Sequence, residues 1–243
     1  MEAERTALVT GASRRIGRAI ALDLARTGWA VGVHYNRSAA DARTLVDEVT
    51  GAGGRAVALA ADLDDPGALD GLVSACAEHL GPVSCLINNA SLFEHDTIHA
   101  LTAESWRRHM SVNLDAPVFL SRAFAQRLPR GATGTIVNVI DQRVWRLTPD
   151  FFSYTAAKAA LWATTQMLAK ALAPAIRVNA VGPGPVLRNI HQTEAEFDRE
   201  WRATPLARQT SPEEIAAAVR FIIDAPSMTG QMIALDGGEH LAP

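Results

Sequence analysis

Seven short apolar runs, separated by amphipathic stretches, constrain this chain more than any other feature. They are "TALVT" (6–10), "AVGVHY" (30–35), "AVALAAD" (56–62), "CLINN" (85–89), "GTIVNVI" (134–140), "IRVNAV" (176–181) and "QMIALD" (231–236). Strands buried on both faces read as continuous apolar runs, because neither side of the pleat meets water. The stretches between them carry helical periodicity at 15–27, 39–50, 66–80, 102–128, 153–172 and 211–224. Strands alternating with helices predict a parallel sheet covered on both faces, the doubly wound α/β (Rossmann) architecture. With 48% hydrophobic residues the chain can fill such a core. No linker, repeat or low-complexity segment divides it, so residues 1–243 are expected to form one domain. The longest stretch without an expected element is 182–211, which follows the sixth strand at the carboxyl edge of the sheet. Long loops in compact domains are commonly functional, and this one is expected to be a lid over a substrate.

Several function classes fall away. The net charge of -3 gives no nucleic-acid footprint. Two cysteines, Cys76 and Cys85, are too few for a disulfide framework and sit in apolar patterns, and no Cys/His cluster has zinc spacing. No signal peptide fits "MEAERTALVTG", and no apolar run is long enough to span a bilayer, so a reduced cytoplasm is the expected compartment.

Chemistry first shows at "TGASRRIGRAIALDLARTG" (10–28), a glycine loop after strand one that opens a helix. Gly11 permits a tight turn and Gly17 close packing of helix on strand, leaving helix-terminal amides to face a pyrophosphate. An NAD site places an acid at the end of strand two to hold the ribose hydroxyls. Here the sequence is "HYNRSAAD" (34–41), with Asn36, Arg37 and Ser38 where the acid would stand. The planar guanidinium of Arg37 suits a phosphate monoester, Ser38 adds a hydroxyl and Arg14 a second cation, a set that favours NADP(H). His34 is read as strand-end packing.

In "YTAAK" (154–158) a spacing of four puts Tyr154 and Lys158 on one helix face. A nearby ammonium, aided by a nicotinamide cation during turnover, favours phenolate, so the Tyr154 pKa is expected to be lowered and the tyrosine to exchange a proton with substrate.

Taken together these motifs resemble the short-chain dehydrogenase/reductase family over essentially the whole chain. The match includes the TGxxxxxG start, "NNA" (88–90), the helix asparagine of "SVNLDAP" (Asn113), "YTAAK", "IRVNAVGPGPV" and the closing "LDGG". The resemblance implies that Asn113 holds a water linking Lys158 to a proton relay. It also implies cofactor contacts from Ser13, Arg15 and Ile16 in the glycine loop, and from Asp62 and Leu63 after strand three. Further contacts fall to Asn89, Ala90 and Ser91 after strand four, to Tyr154 and Lys158, and to Pro183, Gly184 and Val186 after strand six. A homotetramer is the family's implied assembly, and the tail "EHLAP" (239–243) is a candidate to reach a neighbouring subunit's site through His240.

Three departures narrow the resemblance. Arg15 stands in place of the middle glycine, "NNAS" with Ser91 and Phe93 replaces Asn-Asn-Ala-Gly, and Asp141 occupies the serine position thirteen residues before Tyr154. Together with "HYNRSAAD" they resemble the pteridine reductases and the related dihydromonapterin reductases. That subgroup implies NADPH-dependent reduction of a dihydropterin to a tetrahydropterin. Dihydromonapterin and dihydrobiopterin are the first candidates, and dihydrofolate is a further one. Arg15 would lie beside the cofactor phosphates and reach the pterin, Phe93 would stack on it, and Ser91 would bond both ligands. Asp141, paired with Tyr154, would relay a proton to the nitrogen of a C=N bond. The other reading of Asp141 is a strand-end acid that caps a loop. Two alternatives remain: a carbonyl or 3-oxoacyl reductase, against which Arg15 and Asp141 speak, and a non-catalytic NADP(H) sensor, against which Tyr154 and Lys158 speak.

Overall fold

A computed structural model describes residues 5–189 and 192–242. Its centre is one sheet of seven parallel strands in the order β3-β2-β1-β4-β5-β6-β7. The strands are β1 Thr6–Val9, β2 Ala30–Tyr35, β3 Ala56–Ala60, β4 Val83–Asn88, β5 Gly134–Val139, β6 Ile176–Pro183 and β7 Met232–Leu235. The helices are α1 Arg15–Arg26, α2 Ala39–Gly51, α3 Pro66–Leu80, α4 Ala103–Met110, α5 Ala116–Arg127, α6 Phe152–Ala171, α7 Glu194–Arg202 and α8 Pro212–Asp224.

Each expected strand is present, and both faces of the sheet are buried. Ala7, Val9, Val31, Val33 and Ile87 face Ile20 and Leu24 of α1, Leu45 of α2 and Val219 of α8. Leu8, Leu86, Ile136 and Val178 face the other way, onto Leu69 and Val73 of α3 and Leu120 and Phe124 of α5. Packing is close enough that a Cβ on Gly134 would lie 2.8 Å from Phe124 Cζ. Cys76 and Cys85 are free and buried, and burial pushes both thiols up to about 12, which suits core residues rather than nucleophiles.

Two expectations change. The single helix expected over 102–128 is two helices joined by a π-helical turn, Ser111–Asp115, with Asn113 buried inside it. Such a turn carries a wider hydrogen-bond ring that apolar periodicity does not register. The segment 182–211 is not structureless. It begins with the end of β6 and carries α7, started by a capping box in which Thr193 and Glu196 bond each other's backbone amides. Residues 190 and 191 of that segment, and residue 243 of the tail, lie outside the described residues. Among the described residues no helix is long and apolar enough to cross a membrane.

The strand order reverses between β1 and β4. In open α/β sheets ligands bind in the crevice outside the carboxyl ends of the strands at such a switch point.

Candidate active site

A cavity of about 1030 Å³ opens there, walled by the loops after β1, β2, β4, β5 and β6, by α7 and by the C-terminal turn. Its floor is the glycine loop. Gly11 has φ +60, and a Cβ on it would lie 2.9 Å from Ala90 Cα; a Cβ on Gly17 would lie 2.3 Å from Gly11 O. Asn89 fixes this loop to the end of β4, its Nδ2 donating to Thr10 O at 2.9 Å and Gly11 O at 3.2 Å. His34, buried at the end of β2, does the same from the other side. Gly11 N–H donates to His34 Nδ1 at 3.0 Å, which leaves the proton on Nε2, 3.2 Å from Ala61 O. Burial lowers the His34 pKa to about 4, so the imidazole stays neutral and keeps accepting. His34 is therefore a positioning residue of the glycine loop, more than strand-end packing.

The first turn of α1 has no side-chain cap and no acid, and Arg14, Arg15 and Ile16 line the cavity there. Unsatisfied amides at a positive helix end, beside a cradle that a Cβ would fill, fit the pyrophosphate of a dinucleotide. At the end of β2, Arg37 faces the cavity with no carboxylate partner among the described residues, while Asn36 Nδ2 donates to Asp62 Oδ1 at 3.1 Å. Asp62 and Leu63 line the same end from the end of β3. A free guanidinium there fits a phosphate on the adenosine ribose. Arg14, the expected second cation, is already bound to Asp41 of α2, its Nε donating to Oδ2 at 2.6 Å. Ser38 begins α2 without a side-chain cap bond, and neither Ser38 nor Ser13 is among the lining residues.

Arg15 occupies a left-handed backbone position, φ 55, which explains why a glycine is the ordinary occupant. Its guanidinium crosses the cavity and donates to Leu187 O at 2.9 Å and Arg188 O at 2.8 Å. It thus ties the glycine loop to the segment after β6, where Pro183, Gly184 and Val186 also line the wall.

At the far end, α6 presents Tyr154 and Lys158. Phe151, the residue before α6, is left-handed with φ 53 and makes no side-chain cap bond. The cap comes from Asp96, in the loop after β4: Ser153 N–H donates to Oδ1 at 3.0 Å and Ser153 Oγ to Oδ2 at 2.5 Å. The Tyr154 hydroxyl donates to Asp141 Oδ2 at 2.8 Å. Asp141 Oδ1 meanwhile accepts from Arg143 N–H at 2.8 Å, capping the short 3-10 turn Gln142–Val144. Asp141 is both a loop cap and the partner of Tyr154; the two readings of the sequence coexist.

From the protein's own groups the Tyr154 pKa is raised rather than lowered. Burial, then the charge and hydrogen bond of Asp141, raise it well above 10. Lys158 makes no hydrogen bond to the hydroxyl. Its Nζ lies 5.7 Å from the Tyr154 ring centroid and donates to Val139 O at 2.8 Å, and burial lowers its pKa to about 8. Burial raises Asp141 as well, against the pull of Arg143, Tyr154 and Lys158. The proton of the pair is the one Tyr154 donates to Asp141.

Asn113 forms no direct side-chain hydrogen bond with Lys158. Its Oδ1 accepts from Leu92 N–H at 2.9 Å and Ser91 Oγ at 3.1 Å, and its Nδ2 donates to Leu92 O at 2.9 Å. Held this way, the loop after β4 projects Phe93 into the cavity. Phe93 is backed by Phe151 at a ring separation of 4.3 Å and 9° and meets Tyr154 edge-on at 4.6 Å. The tail turns back on its own chain: His240 Nδ1 lies 2.6 Å from Asp236 Oδ2, and Glu239 lines the cavity. His34, Asp96 and Glu239 were not singled out as site residues by the sequence, because each acts through a partner or wall distant along the chain.

Residues 11–240 match the family model described as enoyl-(acyl carrier protein) reductase. The chain is 46% identical to FolM alternative dihydrofolate reductase 1 from Brucella suis, whose crystal structure is in complex with NADP. That likeness covers 100% of this chain and 98% of the other, with a TM-score of 0.97. An uncharacterized oxidoreductase of Methylorubrum extorquens is 38% identical, over 96% of this chain and 97% of its own length. A 3-oxoacyl-[acyl-carrier-protein] reductase of Synechocystis sp. is 32% identical over 96% of both.

Proposed function

The chain belongs to the short-chain dehydrogenase/reductase family of oxidoreductases, and from that premise we propose that it is an NADPH-dependent reductase of dihydropterins. The observation that carries this reading is the Tyr154–Asp141 hydrogen bond of 2.8 Å in the wall of a cavity that Phe93 also lines. The Brucella suis relative, named for dihydrofolate reduction and crystallised with NADP, supports both halves of it.

When bound, the nicotinamide supplies a hydride to the carbon of the substrate C=N bond. The adjacent nitrogen must then gain one proton, so the whole reaction consumes NADPH and H⁺ and yields NADP⁺ and the tetrahydropterin. Tyr154 and Asp141 hold that proton. The Tyr154 hydroxyl, its pKa raised and its proton held by Asp141, is protonated at neutral pH, and a general acid so placed supplies about 10²–10⁴-fold of rate. Phe93 offers one flat face on which the heterocycle stacks. Asn113 and Asp96 act at one remove, by fixing the Phe93 loop and the start of α6. Arg37 and the α1 amides bind the cofactor phosphates, Lys158 and Ser91 the cofactor near the reacting end, and the α7 segment acts as a lid whose base Arg15 ties down. The protein works as a homotetramer.

A second reading, reduction of an oxoacyl carbonyl, is favoured by the Synechocystis relative. One panel separates the readings: NADPH oxidation by the purified protein with a dihydropterin, with a 3-oxoacyl thioester and with neither. Turnover of the dihydropterin is expected. Turnover of the thioester alone would replace our reading, and no turnover with any substrate would point to a sensor.

A further inference from the structure

We propose that Glu239 sets the substrate specificity of this site, bonding a neutral hydroxylated side chain on the heterocycle and excluding an anionic one; the inference rests on the dihydropterin reading above. Glu239 stands on a built turn. Asp236, buried at the end of β7, accepts Gly238 N–H at 3.0 Å and His240 N–H at 2.9 Å. Gly237 and Gly238 supply the left-handed angles, φ 63 and 85, that the turn requires. The resulting 3-10 turn, Glu239–Leu241, packs against Gln142–Val144, with Trp145 against His240 at 5.2 Å between rings. The direction of the Glu239 side chain is therefore set by the fold rather than by a loose tail.

The acids around it are already engaged. Asp141 holds Tyr154 and Arg143 N–H. Glu196 is spent on the capping box of α7. Glu200 accepts from Gln192 Nε2 at 2.6 Å and lies 3.9 Å from Arg143. Unlike Asp141, Glu196 and Glu200, Glu239 has no hydrogen bond or ion pair from its carboxyl among the described residues, which leaves it available to a ligand. Burial, against the attraction of Arg143 and with repulsion from Glu200, Asp141 and Asp236, raises its pKa to about 7. Near neutrality its carboxyl can accept a hydroxyl hydrogen bond or donate one. A ligand carboxylate entering the same space meets Glu239, Glu200 and Asp141; of the arginines on this wall, Arg143 is turned onto the Phe151 ring at 5.2 Å and Arg199 is exposed on α7. Like charges brought so close in a half-buried wall repel one another. A polyol side chain brings no charge and several donors.

The test compares two probes with the NADPH-loaded protein: a dihydropterin with a neutral trihydroxypropyl side chain, and dihydrofolate, whose tail ends in glutamate. The wild type should prefer the neutral probe, and increasingly so as pH rises through about 7 and Glu239 ionises. Glu239→Gln should raise kcat/KM for dihydrofolate by about 10-fold, the scale of one removed charge. It should lower kcat/KM for the neutral probe by about 3-fold and flatten the pH dependence of their ratio. Binding of the oxidised probes to the NADP⁺-loaded protein, followed by tryptophan fluorescence, should show the same reversal without turnover. Glu200→Gln should shift the ratio in the same direction by less. A wild-type ratio independent of pH, or a ratio that Glu239→Gln leaves unchanged while the dihydropterin is still turned over, overturns this inference. Failure of the wild type to reduce either probe overturns the underlying reading instead.

Discussion

Replacing Lys158 by methionine should stabilise the cofactor-free protein at neutral pH while removing its activity. The ammonium is 2% exposed and burial takes its pKa from 10.5 to about 8. At about 1.4 kcal/mol per pH unit, holding the charge below pH 8 costs the fold roughly 3 kcal/mol. Methionine fills similar volume without that charge. It also leaves Val139 O without its 2.8 Å donor, which gives back about 1 kcal/mol. The net gain is roughly 2 kcal/mol at pH 7. The sign with pH follows from proton binding. Between pH 8 and 10.5 the unfolded lysine keeps a proton that the folded one has lost, so wild-type stability rises with pH across that window. Below 8 both are charged and the penalty is constant; above 10.5 neither is, and the variant is the weaker by its missing hydrogen bond. Urea unfolding of both proteins from pH 7 to 10.5 should therefore show a variant more stable at the low end, with the curves crossing near about pH 10. A variant less stable than wild type at pH 7, or a difference that does not change with pH, would refute the assignment of a strained buried charge.

Asp141→Ser should cut kcat for dihydropterin by about 10²–10⁴-fold with little change in NADPH affinity, and a variant with full turnover would remove Asp141 from the mechanism. Arg37→Ala should weaken NADPH binding by roughly 1.5–3 kcal/mol, and equal titration affinities of the wild type for NADPH and NADH would sink that role. Asp96→Ala removes the borrowed cap of α6 and should cost about 1–3 kcal/mol in urea unfolding; an unchanged midpoint would show that α6 holds its start unaided. Light scattering should return a tetramer, consistent with exposed Phe119 on α5, Met167 on α6 and Phe221 on α8, and a mass near 26.0 kDa at micromolar concentration would refute it.

The sheet was legible in the sequence because a strand buried on both faces has one composition, and Leu8 between Ala7 and Val9 is as apolar as they are. Helix α7 was hidden by the same logic. "EAEFDREWR" buries only Phe197, so its face is too narrow to give a period, although the Thr193–Glu196 capping box was there to be seen. The Tyr154–Lys158 spacing was visible, but not the sign of the Tyr154 shift. Lys158 is four residues away along one helix, whereas Asp141 reaches the hydroxyl from the end of another strand. A four-residue spacing places two side chains on one face; it does not say which atom of each meets the other. Asp96 and Ser153, fifty-seven positions apart, illustrate the same limit.

Arg15 shows how a local penalty can be held by a distant contact. A left-handed non-glycine residue costs on the order of 1–2 kcal/mol, and nothing in the loop itself returns it. The return comes from two charge-assisted bonds to Leu187 and Arg188, more than 170 positions away, each worth about 1.5–3 kcal/mol when shielded and less at this exposed site. Those bonds exist only while the segment after β6 lies across the glycine loop. The backbone strain of the phosphate-facing loop and the position of the segment that carries α7 are therefore coupled through one side chain. A glycine would relax the loop and leave that segment free of it. The substitution exchanges a relaxed cofactor loop for one whose conformation is shared with the wall that Glu200 and Gln192 bring to the substrate end of the cavity.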